Sequence, residues 1–169
     1  MGAVHPTADV KSLLYIETSI VSYLTARPSA NVVVAARQLY TWRWWEADRH
    51  RYSLLVSAVV LAEARRGDPT AAAARLQALE GVEAVAVSED AQRLARTLLS
   101  AVPLPDKAAT DALHIALAAV AGAEFLLTWN FRHIANPTLR ERIAQTCRSG
   151  GYTPPVLCTP EELADDPTP

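Results

Sequence analysis

At 169 residues, half of them apolar, the chain has enough material for one sizeable hydrophobic core and defaults to a single domain. Its 16 basic and 18 acidic residues leave a formal charge of -2, which excludes a generally polycationic nucleic-acid binder, so a polyanion would have to be gripped by a local basic patch. The two cysteines, Cys147 and Cys158, are too few for a disulfide scaffold and lack zinc-site spacing, and they read as free thiols of a reducing cytosol.

Residues 1–11 are short, mixed and Pro-containing and are expected to form a tail. They carry no basic-then-apolar leader, and Pro6 stands where a myristoylation signal wants Ser or Thr, so a cytoplasmic location is expected. Every apolar run is interrupted by charge, so no membrane span is expected.

A compact domain is expected over 12–160, with an acidic, Pro-rich tail over 161–169. Within it, short runs rich in Leu, Val and aromatics read as buried strands at Leu13 to Glu17, Tyr52 to Ser57, Val82 to Val87 and Glu124 to Trp129. Helical spacing occupies Asn31 to Arg51, Ala58 to Arg66, Pro69 to Leu79, Glu89 to Ala101, Asp106 to Ala121 and Thr138 to Arg148. Ser88, Asp90 and Asp106 supply N-cap chemistry, and Gly67, Gly122 and Gly150 sit where helices should stop. Alternation of this kind predicts an α/β protein with a parallel sheet covered by helices.

In open parallel sheets ligands bind beyond the carboxyl ends of the strands, and here those tips are polar: Glu17, Thr18 and Ser19; Ser57; Thr128, Trp129 and Asn130. None of the six glycines falls at these tips, and neither GxGxxG nor GxxxxGK[ST] occurs, which argues against dinucleotide and P-loop chemistry.

Two carboxylates stand on otherwise greasy helices. Glu63 follows Val59 and Val60 by four and three residues and shares their apolar face; a surface pair with Arg66 is its mundane alternative. Asp111 lies in a helix of Ala, Leu and Ile, near an N-terminal turn that favours an anion, and a hydrogen bond to His114 or an arginine is the alternative there. Three carboxylates from one strand tip and two helices would form a hard oxygen site of the kind Mg²⁺ or Mn²⁺ takes, suited to phosphodiester hydrolysis.

His114 and His133 lack zinc-ligand spacing, and His114 reads as a packed, hydrogen-bonded histidine. Leu39, Trp42 and Trp45 share one face of their helix while Trp44 points elsewhere, which predicts core packing plus an exposed patch for a second copy or a protein partner.

In this order, Glu17 with Thr18 and Ser19, Ser57 followed by Glu63, Asp111 leading into His114, and Thr128 to Asn130 resemble the PIN-domain superfamily, most of all VapC-type toxins. The resemblance covers Leu13 to Leu157. It implies a three-layer α/β/α fold with a central parallel sheet, and a Mg²⁺- or Mn²⁺-dependent endoribonuclease partnered by an antitoxin, with a homodimer possible. By position it implies Glu17, Glu63 and Asp111 as metal ligands and Asn130 as the fourth catalytic position. Thr18, Ser19 and Thr128 would orient the carboxylates or water, and Arg65, Arg132 and His133 would contact RNA.

Two positions depart from the family pattern: Glu17 replaces the usual Asp, and neutral Asn130 replaces an acid, which weakens a second metal site. A non-catalytic RNA- or protein-binding module and a hydrolase of small phosphate esters are the alternatives.

Overall fold

A computed structural model describes residues 10–164. Residues 1–9 and 165–169, which make up most of the two expected tails, lie outside the described residues.

Five strands form one all-parallel sheet: β1 (Leu13–Ile16), β2 (Ser53–Ser57), β3 (Glu83–Val85), β4 (Phe125–Leu127) and β5 (Val156–Cys158). Their spatial order is β3-β2-β1-β4-β5, so the chain winds outward from β1 in one direction and then in the other. The reversal lies between β1 and β4, where the crevice of a doubly wound sheet opens. Leu14 pairs with Phe125, Tyr15 with Leu126 and Ile16 with Leu127, which sets Glu17 beside Thr128 at the strand ends.

Helices cover both faces. One group comprises α1 (Thr18–Thr25), α2 (Val32–Ala47), α3 (Ala58–Ala64), α4 (Pro69–Ala78) and α8 (Pro160–Leu163), which pack among themselves. The other comprises α5 (Glu89–Ala101), α6 (Ala109–Val120) and α7 (Arg140–Ser149). With helices above and below, both sides of the central strands are dry, and Leu14, Ile16, Leu126 and Leu127 are wholly buried. Each such aliphatic side chain contributes roughly 1.5–3 kcal/mol relative to exposure.

The parallel sheet covered by helices is what the sequence pattern predicts, and its three-layer α/β/α form is what the resemblance implies. Four details differ. A fifth strand, β5, extends the sheet past β4, and an unanticipated helix, α1, starts directly at Thr18. The helix expected from Asp106 divides into a 3-10 turn over Asp106–Ala108 and α6 proper; Asp106 caps neither, since Pro105 precedes the turn and no side-chain cap forms. Helix α2 ends at Ala47, followed by a 3-10 turn at Arg49–Arg51, and its N-terminus is capped by Asn31, whose side chain accepts from Val33 and Val34 N–H.

Other punctuation is as expected: Ser88 accepts from Ala91 N–H, and Gly67 and Gly122 adopt positive φ where α3 and α6 finish. Among the tryptophans, Trp44 and Trp45 are buried and stack edge to face, whereas Leu39 and Trp42 are about half exposed, so the face they share with Trp45 is only partly covered. Both cysteines are buried free thiols. Helix α8 straddles the domain boundary expected at residue 160, fixed by a capping box of Thr159 with Glu162 and a Glu162–Arg140 ion pair. No helix of the described residues is long and apolar enough to cross a membrane.

Candidate metal centre

Glu17 is the residue at which β1 becomes α1. It occupies the N-cap position, but its carboxylate makes no cap hydrogen bond and is free to turn into the crevice. Although it is 93% buried, it is not left bare: Oε2 accepts from Thr128 Oγ1 at 2.7 Å across the strand pair and from the Ser19 hydroxyl. Ser19 in turn accepts the backbone N–H of Trp129 at 2.8 Å, and Thr128 accepts that of Asn130 at 2.9 Å. A buried carboxylate needs such donors, because desolvating it unpaired would cost several kcal/mol.

Glu63 approaches from α3, whose start is fixed by the Ser57 hydroxyl accepting from Val60 N–H. Oε2 of Glu63 accepts from the Thr18 hydroxyl and lies 3.0 Å from His114 Nε2. Burial pushes this carboxyl upward, but hydrogen bonds from His114 and Thr18, with the Arg66 charge adding least, outweigh it and hold the group below its ordinary value. The surface pair with Arg66 is thus a minor influence on a group engaged with the crevice.

His114, on α6, is 99% buried and hydrogen-bonded as its apolar helix predicts. Its Nδ1 lies 2.8 Å from the Tyr15 hydroxyl, which lies 2.7 Å from Ser57 Oγ. Burial raises the Tyr15 phenol well above its ordinary value, aided by the nearby charges of Glu17 and Glu63, so the phenol stays neutral. Since an ionised carboxylate only accepts, Nε2 carries the ring proton toward Glu63, and Nδ1 accepts from Tyr15. Tyr15 was not anticipated as a site residue. The signal for it is a tyrosine inside an aliphatic buried strand, whose hydroxyl must find a partner.

One ligand atom each from Glu17, Glu63 and His114 lie within 4.8 Å of one another. Donors on opposite sides of a divalent cation stand about 4.2 Å apart for Mg²⁺ and about 5 Å apart for a larger ion, so a group confined within 4.8 Å is of the size that shares one ion.

Asp111 sits in the first turn of α6, one helical turn before His114, and its Oδ2 is 2.6 Å from Nδ1 of His133. Neither His114 nor an arginine is its hydrogen-bond partner; the loop after β4 supplies it. That loop is built by Asn130, whose side-chain oxygen accepts from His133 N–H at 3.1 Å. Trp129 anchors it to α2 by donating Nε1–H to Thr41 Oγ1 at 2.7 Å, and the Arg37 guanidinium lies over the Trp129 and Phe131 rings. Arg132 and Arg65 are exposed, one on this loop and the other at the end of α3.

No protein-family model and no curated protein matches the chain. Solved structures do match it. VapC20 from Mycobacterium tuberculosis, described as a sarcin–ricin loop cleaving toxin, aligns at TM-score 0.57 and 21% identity, over 73% of this chain and 95% of that one. VapBC2 from Rickettsia felis, solved with a DNA fragment from their promoter, aligns at TM-score 0.50 and 14% identity, over 87% of this chain and 98% of that one. At these identities the likeness is one of fold: the chain has the PIN-domain, VapC-type architecture.

Proposed function

We propose that this chain is a divalent-metal-dependent endoribonuclease and the toxin of a type II toxin–antitoxin pair, working in the cytoplasm on RNA. The observation that carries the reading is the meeting of Glu17 and Glu63 with His114 at the switch point of a VapC-type sheet. The VapC20 neighbour is described as cleaving the sarcin–ricin loop, and this supports RNA as the substrate class to test first.

In this reading Glu17, Glu63 and Asp111 hold the ion, Mg²⁺ or Mn²⁺. When bound, the ion supplies a water of lowered pKa and positive charge to set against the scissile phosphodiester. Thr18, Ser19 and Thr128 fix buried Glu17 and half-buried Glu63 through their hydroxyls, so the acids are aimed before the ion arrives. Asn130 shapes the loop that carries His133. His133 donates Nδ1–H to Asp111, and in its imidazolium form it would offer Nε2–H to a phosphate or leaving oxygen. Arg65 and Arg132 contribute exposed positive charge for the RNA backbone.

The test is cleavage of a structured RNA by the purified chain. We expect activity that needs Mg²⁺ or Mn²⁺, stops with chelator, and is lost in Asp111→Asn; undiminished cutting by that variant would overturn the assignment. A second reading, a non-catalytic PIN-like binding module, is favoured by one observation: the Asn130 amide oxygen is engaged in capping its own loop. RNA binding without carboxylate-dependent metal binding would decide for it.

A further inference from the structure

We propose that His114 is itself a ligand of the catalytic ion, through Nε2, so that the site is a mixed oxygen and nitrogen set selecting Mn²⁺ over Mg²⁺. This rests on the metal-nuclease reading above and goes beyond it in the donor set and in the ion.

The geometry points there in three ways. His114 belongs to the group whose ligand atoms are confined within 4.8 Å, with the Glu17 and Glu63 carboxylate oxygens as the others, and its Nε2 lies 3.0 Å from Glu63 Oε2. Asp111, by contrast, has its Oδ2 engaged with His133 and is not a member of that group. The ring is also braced as ligating imidazoles are: its remote nitrogen is fixed by the Tyr15 hydroxyl at 2.8 Å, and that hydroxyl by Ser57 at 2.7 Å, all three side chains being wholly or almost wholly buried.

The brace accommodates either state of the ring. Without an ion, Ser57 donates to Tyr15, Tyr15 donates to Nδ1, and Nε2–H faces Glu63. With Nε2 on a metal, the ring proton sits on Nδ1 and donates to the Tyr15 oxygen, and Tyr15 O–H turns to Ser57 Oγ. The count of protons along the chain is the same in both. The ring proton moves from Nε2 to Nδ1 and the Tyr15 and Ser57 hydroxyls turn to follow it, so ligation leaves no buried donor or acceptor stranded on the ring.

Ion choice follows from the donor. Mg²⁺ demands hard oxygens and holds its waters, whereas imidazole suits the first-row metals. One neutral nitrogen beside two carboxylates therefore tilts an otherwise ambiguous oxygen pocket toward Mn²⁺.

Electron spin-echo envelope modulation of the Mn²⁺-loaded full chain reads this without any substitution. We expect directly bound nitrogen whose coupling shifts when the four histidines are labelled with ¹⁵N. The signal should persist in His133→Asn and vanish in His114→Gln. Calorimetric titration of His114→Gln should show Mn²⁺ affinity falling about 10–100-fold while Mg²⁺ changes less than about threefold. Mn²⁺ bound in a Glu17- and Glu63-dependent manner with no nitrogen coupling would overturn the proposal and leave the nuclease reading intact. Absence of carboxylate-dependent binding of either ion would remove both.

Discussion

The Thr128 hydroxyl donates to Glu17 Oε2 across the β1–β4 pair at 2.7 Å while accepting the backbone N–H of Asn130 at 2.9 Å. One oxygen therefore aims the buried carboxylate and starts the loop that carries Asn130 and His133. Thr128→Val keeps the shape and removes both bonds. Metal affinity should fall about 10–100-fold, the usual cost of losing a partner that orients a ligand. Calorimetric titration with Mn²⁺ measures it, and an unchanged affinity would show that Glu17 is held by Ser19 alone.

Thr41 and Trp129 tie the site loop to α2 through a buried hydrogen bond of 2.7 Å. Thr41→Val leaves the indole N–H of Trp129 buried without an acceptor, and should lower unfolding free energy by about 1–3 kcal/mol. Urea denaturation followed by tryptophan fluorescence gives the value. A change below about 0.5 kcal/mol, the range of ordinary surface substitutions, would mean that the loop relaxes to satisfy the group.

Glu63 is held below its ordinary value of 4.5 in the folded chain, despite burial, by its bonds to His114 and Thr18. Its folded form therefore binds protons less readily than its unfolded form. The stability it contributes is complete above pH 4.5 and is lost as pH falls through the folded value. In chelator, Glu63→Gln should flatten the acid limb of a stability–pH curve while leaving the neutral region parallel to the parent. An acid limb of unchanged slope would assign the acid sensitivity to other carboxylates.

The two thiols shift the opposite way. Burial raises Cys147 to about 11, with Arg148 opposing, and raises Cys158 to about 12, with Glu162 adding to burial and Arg140 opposing. Both are neutral at pH 8, so the native chain should react with a disulfide reagent only as fast as it opens, and both thiols should react at once in denaturant. Their folded forms hold protons that the unfolded forms release, so this contribution to stability is present below pH 9 and declines as pH rises beyond it. Rapid labelling of either thiol in native buffer would contradict that burial.

Much of this arrangement was legible in the residues. The alternation of short apolar runs with helical spacing predicts the parallel sheet covered by helices, and the polar strand tips locate the crevice. What escaped is what tertiary context decides. Thr18–Thr25 is rich in β-branched and aromatic residues, poor helix formers, yet becomes α1 because Ile20 and Val21 are buried. Strand β5 spans three residues behind Pro154 and Pro155, too short for periodicity to register, and exists because β4 offers it an edge. Glu63 and Asp111 stood out as charges on greasy helices, and Glu17 as a polar strand tip. The hydroxyl chain from Ser57 through Tyr15 to His114 did not, because its members lie 42 and 99 residues apart and nothing local couples them.

The central place of β1 has a consequence for biosynthesis. Glu17 emerges from the ribosome early, but Thr128 and the strand that precedes it follow 111 residues later. At about 5–20 residues per second, the first carboxylate waits roughly 5–20 s for its opposite wall. Until then a nascent chain carries Glu17 without the wall that buries it, so the crevice is completed only when β4 has been made.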